Sequence, residues 1–166
     1  MRQFMALYGD TLTAICGRYL VDEEDVKDVL QESLIHIVTH IRSFTYRGQG
    51  SLKAWASRIV VNESLRFLRD EKRNDFIQLT RDLPDAPEEP DPPISDVPPD
   101  MLYDMVGRLP TGYRTVLNLY VFENLSHQEI AQLLGIKENS SASQLSRAKS
   151  LLAKMIRQYH QKQFPR

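Results

Sequence analysis

LSHQEIAQLLGIKENSSASQLSRAKSLL, residues 125–152, has the spacing of two short helices joined by a tight turn. Ser126 stands where its hydroxyl accepts from a backbone N–H two or three residues on, and Glu129 where its carboxylate reaches back to the Ser126 amide. A helix is therefore predicted from His127. Ile130, Ala131, Leu133 and Leu134 make one apolar stripe, and Gly135 follows where a left-handed residue ends a helix. Ile136 then points back to a core. Asn139 or Ser140 is read as the cap of a second helix, in which Leu145, Ala148, Leu151, Leu152, Met155 and Ile156 recur at spacings of three and four. Small Ala131 and Gly135, with inward Ile136 and Leu145, suit the close crossing of a helix-turn-helix. A buried helical hairpin with no nucleic-acid role has the same stripe. What favours DNA is the opposite face of the second helix: short and polar at Ser140, Ser143 and Ser146, then basic at Arg147, Lys149, Lys154 and Arg157.

The net charge of −1 looks wrong for such a role until it is divided along the chain. Residues 1–40 hold 3 basic and 7 acidic side chains, 41–81 hold 9 and 4, 82–100 hold 0 and 7, and 101–166 hold 9 and 4. Two blocks of +5 therefore alternate with two acidic ones, which predicts two nucleic-acid-facing surfaces and two segments with other duties. The 19 residues DLPDAPEEPDPPISDVPPD (82–100) carry seven prolines and seven acids, a composition that cannot bury a core and reads as an extended, self-repelling linker. No apolar run spans a bilayer, and MRQFMALYGDTL lacks the apolar block of a signal peptide. The single cysteine, Cys16, allows no internal disulfide and no cysteine-based zinc site. A cytoplasmic protein is expected.

Upstream of the linker the pattern is again helical. Phe4, Leu7, Tyr8, Leu12, Ile15 and Tyr19 recur at helical spacing, and the acids Asp22–Asp25 open a second helix with charges that suit its dipole. That helix repeats Val26, Val29, Leu30, Leu34, Ile37, Val38 and Ile41, with Asp28, Gln31 and Glu32 on the other face. SFTYRGQG (43–50) is a loop with two glycines, and Ser51 is read as the cap of a third long helix through Leu52, Trp55, Ile59, Asn62, Leu65 and Leu68.

Taken together, DEEDVKDVLQESLIHIV, GSLKAWASRIVVNESLRFLRDEKR, the LP–YR–VL–LY run from Leu109 to Tyr120, and the helix-turn-helix resemble, in order, the extracytoplasmic-function sigma factors of bacterial RNA polymerase. The resemblance covers nearly the whole chain. It implies an all-α fold of two small helical domains, region 2 over residues 1–74 and region 4 over 101–166, joined by a flexible acidic linker at 75–100. It implies that Asp28, Gln31 and Glu32 dock on the clamp helices of the largest polymerase subunit, residues at such spacings sharing one helix face. Tyr46, Arg47 and Gly48 of the loop, with Arg58, Asn62, Arg66 and Arg69, are then expected to capture and hold the unpaired −10 strand. Phe44 adds an aromatic, Lys72 and Arg73 extend the basic track, and Trp55 is read as core before base platform. Asn62 stands out as an amide in an apolar run, where it needs partners.

In the C-terminal domain the resemblance implies a helix over Leu109–Leu125 that leaves apolar surface for the flap of the second-largest subunit. It places Ala142, Ser143, Ser146, Arg147 and Lys149 toward the −35 element. Here the sequence departs from the family's common pattern, which has basic residues at the Ala142 and Gln144 positions and an aliphatic one at Ser141. The linker is expected to thread the polymerase cleft and RNA exit path, although a simple tether has the same composition, and an anti-sigma protein is the expected regulator. No cofactor and no enzymatic activity are expected. His36 and His40 lie one turn apart with Glu32 a turn earlier, yet lack the glutamate of HExxH and further ligands, so no metal site is assigned. Cys16 reads as a small buried side chain, not a nucleophile. A stand-alone helix-turn-helix regulator and a helical adaptor that binds only proteins remain the alternatives.

Overall fold

A computed structural model describes residues 2–70 and 92–163, which divide between two compact units, Met1–Arg73 and Asn74–Arg166. Every regular element among the described residues is helical. Lys72, Arg73 and most of the acidic linker lie outside the described residues, as does the threading expected of it.

The first unit packs three long helices, α1 (Arg2–Tyr19), α2 (Glu23–His40) and α3 (Ser51–Asp70). Asp22 caps α2, its Oδ1 accepting from the amides of Glu24 and Asp25 at 2.9 and 3.2 Å. Three acids in the following turn face the positive end of the helix dipole. The core is built from Leu12, Ile15, Cys16 and Tyr19 of α1, Val29 and Ile37 of α2, and Ala56, Val60, Val61, Leu65 and Leu68 of α3. Three residues read as part of the apolar stripes lie off them: Leu7 is 71% exposed, Val38 49% and Ile41 42%. The buried row of α1 runs Gly9, Leu12, Cys16, Tyr19, and Leu7 falls on the opposite side of a 3.6-residue turn.

Between α2 and α3 the chain makes one 3₁₀ turn, Ile41–Ser43, and then a loop whose glycines take positive φ, +112° at Gly48 and +84° at Gly50. Ser51 is not the cap it was read to be. It is the first residue of α3, and its hydroxyl ties the loop shut by donating to the Gly48 carbonyl at 2.7 Å and accepting from the Arg47 amide at 3.2 Å.

The second unit contains α4 (Pro99–Gly107), α5 (Thr111–Val121), α6 (His127–Leu134) and α7 (Glu138–Gln163). α4 begins inside the stretch read as linker, where Pro99 takes an early helical position that needs no amide. Just before it, Val97 is buried with Met105 and Ile156. Arg114, itself buried, bends the α4–α5 turn inward by donating to the carbonyls of Gly107 and Leu109 at 3.0 and 2.9 Å.

The capping box at α6 forms as its residues predict. The Glu129 amide donates to Ser126 Oγ at 3.2 Å, and the Ser126 amide to Glu129 Oε2 at 2.8 Å. The Ser126 amide, then its hydroxyl, hold the Glu129 carboxyl below its ordinary range. The box is thus complete at neutral pH and weakens as pH falls through that lowered value. Gly135 closes α6 at φ +67°, and its amide and that of Ile136 both donate to the Ala131 carbonyl. An alanine there meets no neighbour but must adopt the left-handed conformation. Gly135→Ala is expected to cost about 1–2 kcal/mol, read as a lower denaturant midpoint with unchanged slope.

α7 starts at Glu138, ahead of both residues read as its cap. The three-residue turn Gly135–Lys137 is so short that Ser140 and Ser141 fall within the first turn of α7 and on its packing side. Ser140 is therefore buried, not part of the solvent face.

Candidate protein and nucleic-acid interfaces

On the first unit, Asp28, Gln31 and Glu32 are all exposed along the outer face of α2. They rim a cleft of about 430 Å³ whose far wall is α3, through Glu63, Arg66, Phe67 and Asp70. Ile35, half exposed, continues the same face one turn on. Such a surface, acidic with an apolar extension, suits a basic, partly apolar protein partner.

Glu63 closes the bottom of the cleft. Its side chain is 7% exposed, with Oε1 2.8 Å from His36 Nδ1 and Oε2 2.6 Å from Arg66. The polar intrusion in the apolar run is therefore Glu63, whereas Asn62 is exposed and its amide meets water. Helical spacing alone did not separate these neighbours, which are two adjacent polar residues within one apolar helix stretch. Arg66 is drawn toward the α2 side. Its guanidinium is 57% exposed, so water screens the pair and reduces its worth. Removing it still leaves the buried Glu63 carboxylate with only His36 as an ion-pair partner. Arg66→Ala is expected to lower stability by about 1 kcal/mol, more than Glu63→Gln does, in urea melts near pH 8.

A second surface lies where the 43–50 loop meets α3. Ser43, Phe44, Thr45, Arg47, Ser51, Ala54, Trp55 and Arg58 line a hollow of about 440 Å³. Phe44 and Trp55 pack ring to ring at 5.2 Å and 45°. Trp55 is half-buried and forms part of the hollow's wall. Tyr46, between the lining residues Thr45 and Arg47 in the chain, is 71% exposed. Arg58, Asn62 and Arg69, at spacings of four and seven, form an exposed row leading away along α3. Aromatic walls with guanidinium groups at the edge are what an unstacked base and its phosphate require.

A third surface is the exposed side of α7. Ala142 and Lys149 are exposed, Ser143 and Ser146 half exposed, and Arg147 sits half-buried at the margin. A front of small side chains flanked by cations fits a major groove and its phosphates. At the end of α5, Tyr120, Val121 and Phe122 are 39, 54 and 52% exposed, the apolar surface expected there.

Two other groups resolve into structural roles. His36 turns Nδ1 to Glu63 and the His40 Nδ1 lies 3.0 Å from the His36 carbonyl. Among the described residues, no three His, Cys, Asp or Glu side chains cluster as a metal site would need. Burial pushes the Cys16 thiol up to about 11, against a weaker opposing bond from Ser64. Alkylation of Cys16 at pH 8 is expected to proceed only at the rate at which the unit opens, and so to accelerate with urea.

The sigma-70 region 2 family model matches residues 4–74, and the sigma-70 region 4 model residues 100–152. The chain belongs to the extracytoplasmic-function sigma factors. Among curated relatives, it is 27% identical over 163 residues to the ECF RNA polymerase sigma-E factor of Haemophilus influenzae, covering 90% of this chain and 83% of that one. It is also 27% identical over 140 residues to RNA polymerase sigma factor SigV of Bacillus subtilis, covering 81% and 77%. Among solved structures, the sigma factor RpoE of Bartonella quintana, crystallised with the anti-sigma factor NepR, shares the fold at a TM-score of 0.54 and 20% identity, over 94% and 96% of the chains. In this sigma factor the first two surfaces fall within the region 2 match and the third within region 4. Sigma factors as a class direct RNA polymerase to promoters and are not themselves enzymes. No helix among the described residues is long and apolar enough to cross a membrane.

Proposed function

We propose that this sigma factor docks on core RNA polymerase through Asp28, Gln31, Glu32 and Ile35, and captures the unpaired −10 strand in the Phe44–Trp55 hollow. The observation that carries this reading is the hollow itself: aromatic walls, Arg47 and Arg58 at its edge, and Asn62 exposed one turn further along α3. Bases leave a duplex only if something stabilises them unstacked, and stacking with charge-assisted phosphate contacts does so without nucleotide hydrolysis. On this reading the protein has no catalytic residue of its own.

The exposed side of α7 reads the −35 element, with Ala142, Ser143 and Ser146 at the bases and Arg147 and Lys149 at the phosphates. The Tyr120–Phe122 patch meets the flap of the second-largest subunit. The part of the acidic stretch ahead of Val97 tethers the two modules and threads the polymerase cleft. An anti-sigma protein that covers the docking face regulates the factor; the sigma factor RpoE of similar fold was crystallised in complex with one. Its place of action is the cytoplasm, where polymerase is.

Run-off transcription from a promoter library with core RNA polymerase tests the assignment. Transcripts that require this protein, with shared sequence at two upstream elements, support it. Tight, polymerase-independent binding to duplex DNA without initiation would instead favour a stand-alone helix-turn-helix regulator.

A further inference from the structure

Tyr120, His127 and Ser141 connect the exposed end of α5 to the inside of α7. The rings of Tyr120 and His127 stack at 4.9 Å and 21°. The Nδ1 of His127 lies 2.9 Å from Ser141 Oγ, and Ser141 is fully buried. Ser141 immediately precedes Ala142, which is exposed on the face read as DNA-facing. Fixing the Ser141 hydroxyl therefore fixes how the first turn of α7 is rotated about its axis. A buried serine in a helix commonly bonds the carbonyl a turn back, so a bond to a neighbouring helix is not a requirement of burial alone.

At the other end, Tyr120 is 39% exposed, and Val121 and Phe122, which follow it in the chain, are half exposed. Any protein that covers this patch contacts Tyr120 and restricts its ring. Restricting it restricts the imidazole stacked on it, and with that the bond to Ser141. A recognition helix already ordered by one partner loses less conformational freedom on binding the next, which is positive coupling without a change of shape.

We propose that His127 is a positioning residue through which polymerase, seated on the Tyr120–Phe122 patch, orders the first turn of α7 for promoter DNA. This rests on the reading of that patch as a polymerase-docking surface. Polymerase binding then raises the DNA affinity of the C-terminal module, and the module alone discriminates promoters poorly.

Amide hydrogen exchange of the full-length protein, free and with core RNA polymerase, tests this without a known promoter. In the wild type, polymerase is expected to slow exchange both around residues 118–122 and in residues 138–146, the latter by about fivefold or more. In H127L/S141V, which replaces the polar pair with an apolar one, slowing at 118–122 persists and slowing at 138–146 is lost. H127F, which keeps a ring on Tyr120 and drops the bond to Ser141, gives the same loss and serves if the double variant does not fold. Slowing at 118–122 without slowing at 138–146 in the wild type overturns the coupling and leaves the docking reading intact. Slowing at 138–146 that survives in both variants overturns the role of His127. No slowing at 118–122 overturns the docking reading and the coupling with it.

Discussion

Core RNA polymerase supplied with an Asp28→Arg/Glu32→Arg variant is expected to initiate at least about 100-fold less often than with the wild type at equal concentration. Both carboxylates are exposed on α2, contribute nothing to the core, and sit one turn apart on one face. Reversing them leaves the fold intact and places two cations where a basic partner surface arrives. Like charges brought together in an interface cost several kcal/mol, and each 1.4 kcal/mol is tenfold in affinity. The variant should therefore lose polymerase binding in a pull-down or competition assay while its circular dichroism and melting midpoint stay within error. Full initiation by a folded variant would remove the α2 face from the polymerase interface. The cleft behind that face sets a limit on the design, since Glu63 is buried and ion-paired and its reversal would also perturb packing.

An Arg47→Glu/Arg58→Glu variant is expected to bind polymerase normally and fail to open promoters. Both residues line the hollow beside Phe44 and Trp55, away from Asp28 and Glu32 in the lining of either cavity. If these two charges meet phosphate as proposed, reversing them should reduce unpaired thymines, measured by permanganate reactivity around −10, by about 100-fold at moderate salt. The milder Arg47→Ala should lower the slope of log affinity against log salt by about 0.7–0.9 on the promoter, the share of one phosphate contact. Normal opening by the charge-reversed protein would show that bases are held elsewhere.

Several local signals in the sequence carry through to the structure. Ser126, Glu129 and Gly135 define both ends of α6 because capping and a left-handed C-terminal residue are properties of a few neighbouring residues. The acids at 22–25 open α2 for the same reason. The region 2 and region 4 assignments were legible because four motifs occur in one order, and the family matches fall on them. The all-helical character follows from periodicity sustained over long segments.

What the sequence left open are the places where one residue of rotation changes an environment. Asn62 and Glu63 are adjacent in an apolar run, and only the packing of α3 against both α1 and α2 decides that the carboxylate is buried and the amide is not. Arg66 reads as one of a basic row with Arg58 and Arg69, and the buried Glu63 draws it to the α2 side. Ser51 has the chemistry of a cap, but the two positive-φ glycines place it inside the helix, where its hydroxyl closes the loop instead. Ser140 looks like a solvent-facing serine, and the three-residue turn before α7 rotates it and Ser141 inward. The contact of His127 with Tyr120 on one side and Ser141 on the other joins three helices and has no sequence spacing that announces it. By itself, then, the sequence determined which segments are helices, where several of them start and stop, and the family they belong to, because those depend on local periodicity, capping and motif order. Which side chain of a neighbouring pair is buried, and which helices a single imidazole joins, was decided only in the tertiary structure, because it depends on residues far apart in the chain meeting across a packed interface.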